Sequence, residues 1–181
     1  MNCMNKVLKN KLTSGFTLIE LLIVMAILSV LVSIIAGGFR SSQSRGRDAQ
    51  RKSDLKQVSN ALELYYADYG KYPSDSAGSI VACPFVPSGS STNCTWGTGS
   101  FTDNKTVYFK VVPKDPSDDL DYYYRIADSP ANQKFQLFAH LENSEDQDCI
   151  DGDCENPGVA YNCGEEICNF ALTSPNTNAV E

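Results

Sequence analysis

The chain has little with which to do chemistry near neutral pH. It holds one histidine, His140, in 181 residues, and histidine is the side chain whose ordinary pKa lies in that range. His140 falls in an alternating run that reads as a strand face, with no nucleophile motif beside it. A phosphate-cradling glycine loop, a zinc-hydrolase motif and a nucleophile elbow are all missing. With no catalytic constellation, the sequence reads as a non-enzyme. Charge is missing too, from one long stretch: residues 16–39, FTLIELLIVMAILSVLVSIIAGGF, carry Glu20 and no other ionisable side chain. At ~1.5 Å per residue such a run crosses a bilayer core as an α-helix, which argues against a soluble core helix. A carboxylate within it costs on the order of 2.5–3.5 kcal/mol on insertion scales, less near the interface. Glu20 therefore needs a cationic partner.

Bases are scarce in the distal part. Beyond residue 56, six Lys and Arg face nineteen Asp and Glu, so the net charge of −7 hides a strong gradient. The first 15 residues carry Lys6, Lys9 and Lys11 and no acid, and residues 40–56 carry Arg40, Arg45, Arg47, Arg51, Lys52 and Lys56 against Asp48 and Asp54. A mean hydropathy of −0.26 with 42% hydrophobic residues leaves room for one membrane helix and one modest exported domain. Of the seven cysteines, Cys3 lies in the basic start and the other six lie beyond residue 80. Removal of the first 15 residues leaves an even set, which reads as a disulfide framework in an oxidising compartment.

The string SGFTLIELLIVMAIL joins a basic leader, a small residue, an aromatic, and an acid four residues after that aromatic. It resembles the cleavage and methylation segment of type IV prepilins and type II secretion pseudopilins. An ordinary secretory signal is cut after its apolar stretch. The resemblance implies instead that a prepilin peptidase cuts between Gly15 and Phe16 and methylates the new amine of Phe16, so that the apolar helix is kept. It also implies a partner for Glu20, the N-terminal amine of a neighbouring subunit, two charges costly in lipid neutralising each other between chains. Bases after the helix equal or outnumber those of the leader, so an N-in orientation rests on this motif rather than on the positive-inside rule.

After residue 39 the pattern turns amphipathic, with Leu55, Val58, Leu62, Tyr65 and Tyr69 at helical spacing. A helix over residues 16–69, stopped by Gly70 and Pro73, is expected. Gly37 and Gly38 mark its apolar–polar junction, suited to local melting or to close helix packing. The basic run RSSQSRGRDAQRKSDLK lacks interleaved aromatics, so nucleic-acid binding is unsupported. It reads as a solvated helix face that meets lipid headgroups before assembly and acidic neighbours afterwards.

The segments GKYP and VPKDP resemble the major secretion pseudopilin. The resemblance implies an α+β pilin-like lollipop, a long helical spine packed on a small antiparallel sheet, with stapled loops. The expected organisation is a removed leader at 1–15, a membrane and assembly half-helix at 16–39, an amphipathic half at 40–69, an irregular connection at 70–105, a sheet at 106–142 and an acidic cysteine-rich loop at 143–181. Residues 106–112, 121–127 and 134–142 read as strands. In the last, Phe135, Leu137, Ala139 and Leu141 form the buried face, and Gln136, Phe138, His140 and Glu142 the outer one. Cys83 and Cys94 close a local loop. Cys149, Cys154, Cys163 and Cys168 fall in two CX4C spacings, better suited to disulfides than to zinc, with three pairings open.

Asp146, Asp148, Asp151 and Asp153 place hard oxygen ligands at near-alternating positions, as calcium requires, although not in an EF-hand pattern. The major pseudopilin binds calcium in its C-terminal loop, and the resemblance implies a similar site here. The function implied is a structural subunit of a type IV pilus or pilus-like filament, inserted in the cytoplasmic membrane before assembly and extracytoplasmic or on the cell surface afterwards. Its implied partners are other copies in a helical filament, a prepilin peptidase and an inner-membrane assembly platform. The alternatives are a pseudopilin of a type II secretion system and a non-assembling, membrane-anchored binding domain that keeps its leader.

Overall fold

Apolar residues crowd 16–39, and the structure divides just after that run. A computed structural model describes residues 15–87 and 89–180, with the side chains of residues 35–38 set aside. The expectations for the leader and for the surroundings of Gly37 and Gly38 lie outside these described residues. One unit ends at Arg40 and the other runs from Ser41. Helix α1 (Leu18–Tyr69) contributes to both.

In the first unit the described side chains are exposed all round, Leu18 at 88% and Ile34 at 72%. Ser29 and Ser33 turn their hydroxyls onto the carbonyls of Ala26 and Val30, each at 2.8 Å, so neither presents an unpaired donor to an apolar surrounding. Among the described residues no single helix meets the length and hydropathy of a membrane span, whereas the stretches Leu18–Ile34 and Phe39–Tyr69 meet them together.

In the second unit α1 presents Leu55, Val58, Ala61, Leu62 and Tyr65 to the core. Gly70 ends the helix at φ +66°, its N–H bonded to the Tyr66 carbonyl at 2.7 Å, the left-handed cap that glycine adopts without a Cβ penalty. Strands β1 (Asp75–Ser76) and β2 (Ser79–Ile80) form a hairpin through Ala77 and Gly78, both at positive φ, as the favoured two-residue turn requires. Strands β3 (Phe101–Thr102) and β4 (Val107–Phe109) form a second antiparallel ladder. The central sheet joins β5 (Tyr123–Ile126), β6 (Phe135–Ala139) and β9 (Phe170–Thr173) in the order β5-β6-β9, and β7 (Asn162–Cys163) pairs with β8 (Glu166–Ile167). A long N-terminal helix, small antiparallel sheets and disulfides make a pilin-like α+β architecture.

Three expectations are corrected here. The run at 106–112 does not join the central sheet; its strand β4 pairs with β3, and the third central strand is β9, in the segment read as a loop. The connection at 70–105 is not wholly irregular, since β1, β2 and β3 lie in it. The outer face of β6 is not solvated, for every residue from Phe135 to Ala139 is buried. Phe138 packs with Ile150, Cys163 and Cys168, and Tyr161 lies 5.0 Å away between ring centroids, because the C-terminal segment folds over that face.

Under the other face, Tyr65 stacks on Tyr69 with centroids 4.6 Å apart and meets Phe85 edge-on at 5.4 Å. Acids flanking the buried stripe of α1 accept tyrosine hydroxyls from the rest of the head: Asp54 from Tyr122 at 2.9 Å, and Asp68 from Tyr108 at 2.8 Å. Each such bond lets a large ring stay buried with its polar tip satisfied.

Candidate functional site

Gly15 and Phe16 lie at the exposed start of the described chain, ahead of the first helical turn. Phe16 is 82% exposed. Glu20 sits in that first turn. Its Oε2 accepts the Thr17 backbone N–H at 2.9 Å and the Thr17 hydroxyl at 2.6 Å, while the Glu20 N–H donates to Thr17 Oγ1 at 3.3 Å. This is a capping box, two orphan helix donors satisfied reciprocally. The spacing Thr17-x-x-Glu20 is its sequence signature, and sequence reasoning passed it over. In the single chain, then, Glu20 is occupied within its own helix end by Thr17, the residue next to Phe16.

The second group of charges begins two turns before Leu55. Asp48 and Arg51 continue the buried stripe of α1 upward, at 2% and 0% exposure. Arg51 uses its whole fork. Nε and Nη2 reach the two Asp115 oxygens at 2.8 and 2.9 Å, Nη1 reaches Asp48 at 2.7 Å, and Nη2 also reaches Glu142 at 2.8 Å and Ser117 at 3.1 Å. Arg47 Nε donates to Glu142 at 2.7 Å, and Nη2 pairs with the other oxygen of that carboxylate. Asp48 in turn accepts the backbone N–H groups of Glu142 and Asn143, both at 2.9 Å. The Glu142 carboxyl is held down to about 2, chiefly by the Arg47 hydrogen bonds, with Arg51 adding to them against the desolvation that would raise it. Burial alone would lower the Arg51 pKa, but its carboxylate partners outweigh that and hold it up.

The basic run is thus a solvated face only in part, through the exposed Arg40, Arg45 and Lys56. Arg47, Arg51 and Lys52 are spent inside the head, tying the spine to Asp115 of the PKDP segment and to the end of β6. Spacing along the chain could not show this, because every matching acid except Asp48 is 64 to 96 residues away.

The acidic loop follows the same helix. Lys52 Nζ lies 2.7 Å from Asp146 and 2.6 Å from Asp148. Asp153 accepts the backbone N–H groups of Glu155 and Asn156, each at 2.9 Å, and Asp151 is exposed at φ +55° in the 3₁₀ turn Ile150–Gly152. The four carboxylates read as calcium ligands are not gathered at one point, and among the described residues no three metal-ligating side chains meet. As arranged, they do not fit calcium. The cysteines pair as Cys83–Cys94, Cys149–Cys154 and Cys163–Cys168. His140 Nδ1 lies 2.7 Å from the Ile167 carbonyl, which can only accept, so Nδ1 carries the proton in a structural bond.

The N-terminal segment matches the family pattern described as Prokaryotic N-terminal methylation motif over residues 10–36. Residues 39–148, more than half the chain, match the family described as Type II secretion system (T2SS), protein G. The chain belongs to the type II secretion system protein G family. Type II secretion system core protein G of Pseudomonas aeruginosa is 33% identical over 103 residues, which are 57% of this chain and 67% of that protein. Its counterpart from Escherichia coli is 30% identical over 104 residues, 56% of this chain and 65% of that protein. The chain thus spans about two thirds of these relatives. Type IV major pilin protein PilA of Myxococcus xanthus is 36% identical over 75 residues, 41% of this chain and 34% of PilA. No solved structure matches. In this protein G family member the matched region contains Arg51 and all its partners, whereas Cys149–Cys154, Cys163–Cys168 and β7 to β9 lie beyond it.

Proposed function

We propose that this chain is a structural subunit of a pilus-like filament. It waits in the cytoplasmic membrane by residues 16–39 with its N-terminus inside. A prepilin peptidase cuts between Gly15 and Phe16 and methylates Phe16, and an inner-membrane platform packs the N-terminal helices of successive copies into a filament outside that membrane. One observation carries this reading. The helix that begins within the methylation motif leaves Leu, Ile and Val side chains from Leu18 to Ile34 exposed, a surface that lipid covers before assembly and neighbouring helices cover after it.

The capping box gives Glu20 a local partner in the single chain. In the filament the Phe16 amine of a neighbour supplies the charge that a cap lacks. Glu20→Ala is therefore expected to be processed normally, with a mature mass beginning at Phe16 plus one methyl group, yet to yield little or no filament. Wild-type filament yield from that variant would sink the pairing, and a mature protein still beginning at Met1 would sink the filament reading itself.

A pseudopilin of a type II secretion system is the second reading, favoured by the protein G match over residues 39–148. Electron microscopy of sheared surface filaments, with subunit identification, separates it from a surface pilus.

A further inference from the structure

Two of the four aspartates whose spacing suits calcium, Asp146 and Asp148, meet a different cation. Lys52 Nζ stands between Asp146 Oδ1 and Asp148 Oδ2, at 2.7 and 2.6 Å, and lies 5.7 Å from the centre of the Phe170 ring. We propose that the Lys52 ammonium takes the place of a divalent cation in this head, fixing the acidic loop to the spine helix, so that the loop is ordered without calcium.

The donor count supports this. Calcium takes six to eight oxygen ligands, and here two carboxylates converge on one point that a nitrogen already holds. The other candidates are committed elsewhere or lie at the surface, Asp153 capping the N–H groups of residues 155 and 156 and Asp151 exposed. A divalent ion brought to Asp146 and Asp148 would meet Nζ at contact distance, where like charges repel.

Continuity along the helix is the second support. Asp48, one turn before Lys52, accepts the N–H groups of Glu142 and Asn143 at the entry to the loop. Lys52 then takes the two aspartates three to five residues further on. The Asp146 carbonyl accepts the Cys149 N–H, and Cys149 is bonded to Cys154. Entry, ammonium contact and staple thus follow one another, and the loop needs no further ligand to hold its course. The same ammonium stands over the Phe170 ring, 5.7 Å from its centre, a cation–π contact that adds to the two ion pairs.

The test uses the full chain in detergent with its disulfides intact, and reads the melting temperature of the head by near-UV circular dichroism. The wild-type protein is expected to melt at the same temperature in EDTA and in ~10 mM calcium chloride, a level above the affinity of weak extracellular sites. Lys52→Ala is expected to melt about 2–6 °C lower and to become susceptible to proteolysis between residues 143 and 148. Lys52→Arg, which keeps the charge, should restore both. A wild-type protein destabilised by EDTA overturns the proposal without recourse to any variant. So does a Lys52→Ala protein that melts and resists proteolysis as the wild type does.

Discussion

Arg51 has no contact with water, and a guanidinium so placed is tolerable only if its donors are matched. Asp115 takes two of them in parallel, a geometry that lysine cannot reproduce. Removing the guanidinium would leave Asp115 and Asp48 buried with backbone N–H partners but no counter-charge from Arg51. Arg51→Ala is therefore expected to cost about 3–5 kcal/mol of head stability, and Arg51→Lys a large part of it, both read from urea unfolding. The same network sets the acid response. Glu142 has a folded pKa near 2 against an ordinary 4.5, so its contribution is present above pH 4.5 and is lost as the pH falls through 2. Asp54, raised by burial, works in the opposite direction, with the Tyr122 hydrogen bond opposing that rise. The wild-type head should lose stability over that window more steeply than Arg47→Ala, in which the first cause of the Glu142 shift is gone. Equal slopes for the two proteins would mean that Glu142 is not the titrating group.

Elements were legible where apolar residues mark them. The stripe Leu55, Val58, Leu62 and Tyr65 gives the helix, and Gly70 gives its end. The same stripe continues through Asp48 and Arg51, which a search for apolar periodicity passes over because burial there rests on charge pairing rather than on hydrophobicity. Strand β6 was legible as a strand but not as a doubly covered one. Its alternation assigned Phe138 to the surface, yet Phe138 is fully buried under Ile150, Cys163, Cys168 and Tyr161. What covers it comes from the C-terminal segment, where β9 is four residues long and too short to show a period. The Asn169 side chain helps seat that segment, accepting the Leu141 N–H at 2.6 Å and donating to the Leu141 carbonyl at 3.0 Å, a side chain imitating a strand partner. Phe138→Ala should thus cost about 3–5 kcal/mol, as for a core phenylalanine, where a solvent-facing strand residue would cost within about 0.5 kcal/mol. Chemical denaturation of the variant distinguishes the two.

At the scale of the whole chain, the apolar surface is divided unevenly. Exposed large hydrophobic side chains run almost continuously from Phe16 to Ile34 and recur at Phe39, whereas from Ser41 onward those among the described residues are scattered: Leu64, Val107, Val111, Ile167 and Val180. Isolated residues of that kind are ordinary on soluble proteins; a continuous apolar surface is not. The charge network, both hydrophobic clusters and all three disulfides belong to the unit that begins at Ser41. A protein of residues 41–181, produced in an oxidising compartment, is therefore expected to fold without detergent and to elute from a sizing column as a monomer. Its urea unfolding should be a single transition that moves to lower denaturant on reduction. The closed loops have sequence separations of 11, 5 and 5, so chain entropy assigns each disulfide about 2–3 kcal/mol. Assembly, on this division, resides in the segment removed. The truncated protein should neither enter filaments nor block those of the full chain, and a head that aggregates unless detergent is present would show that the first unit also completes the fold of the second.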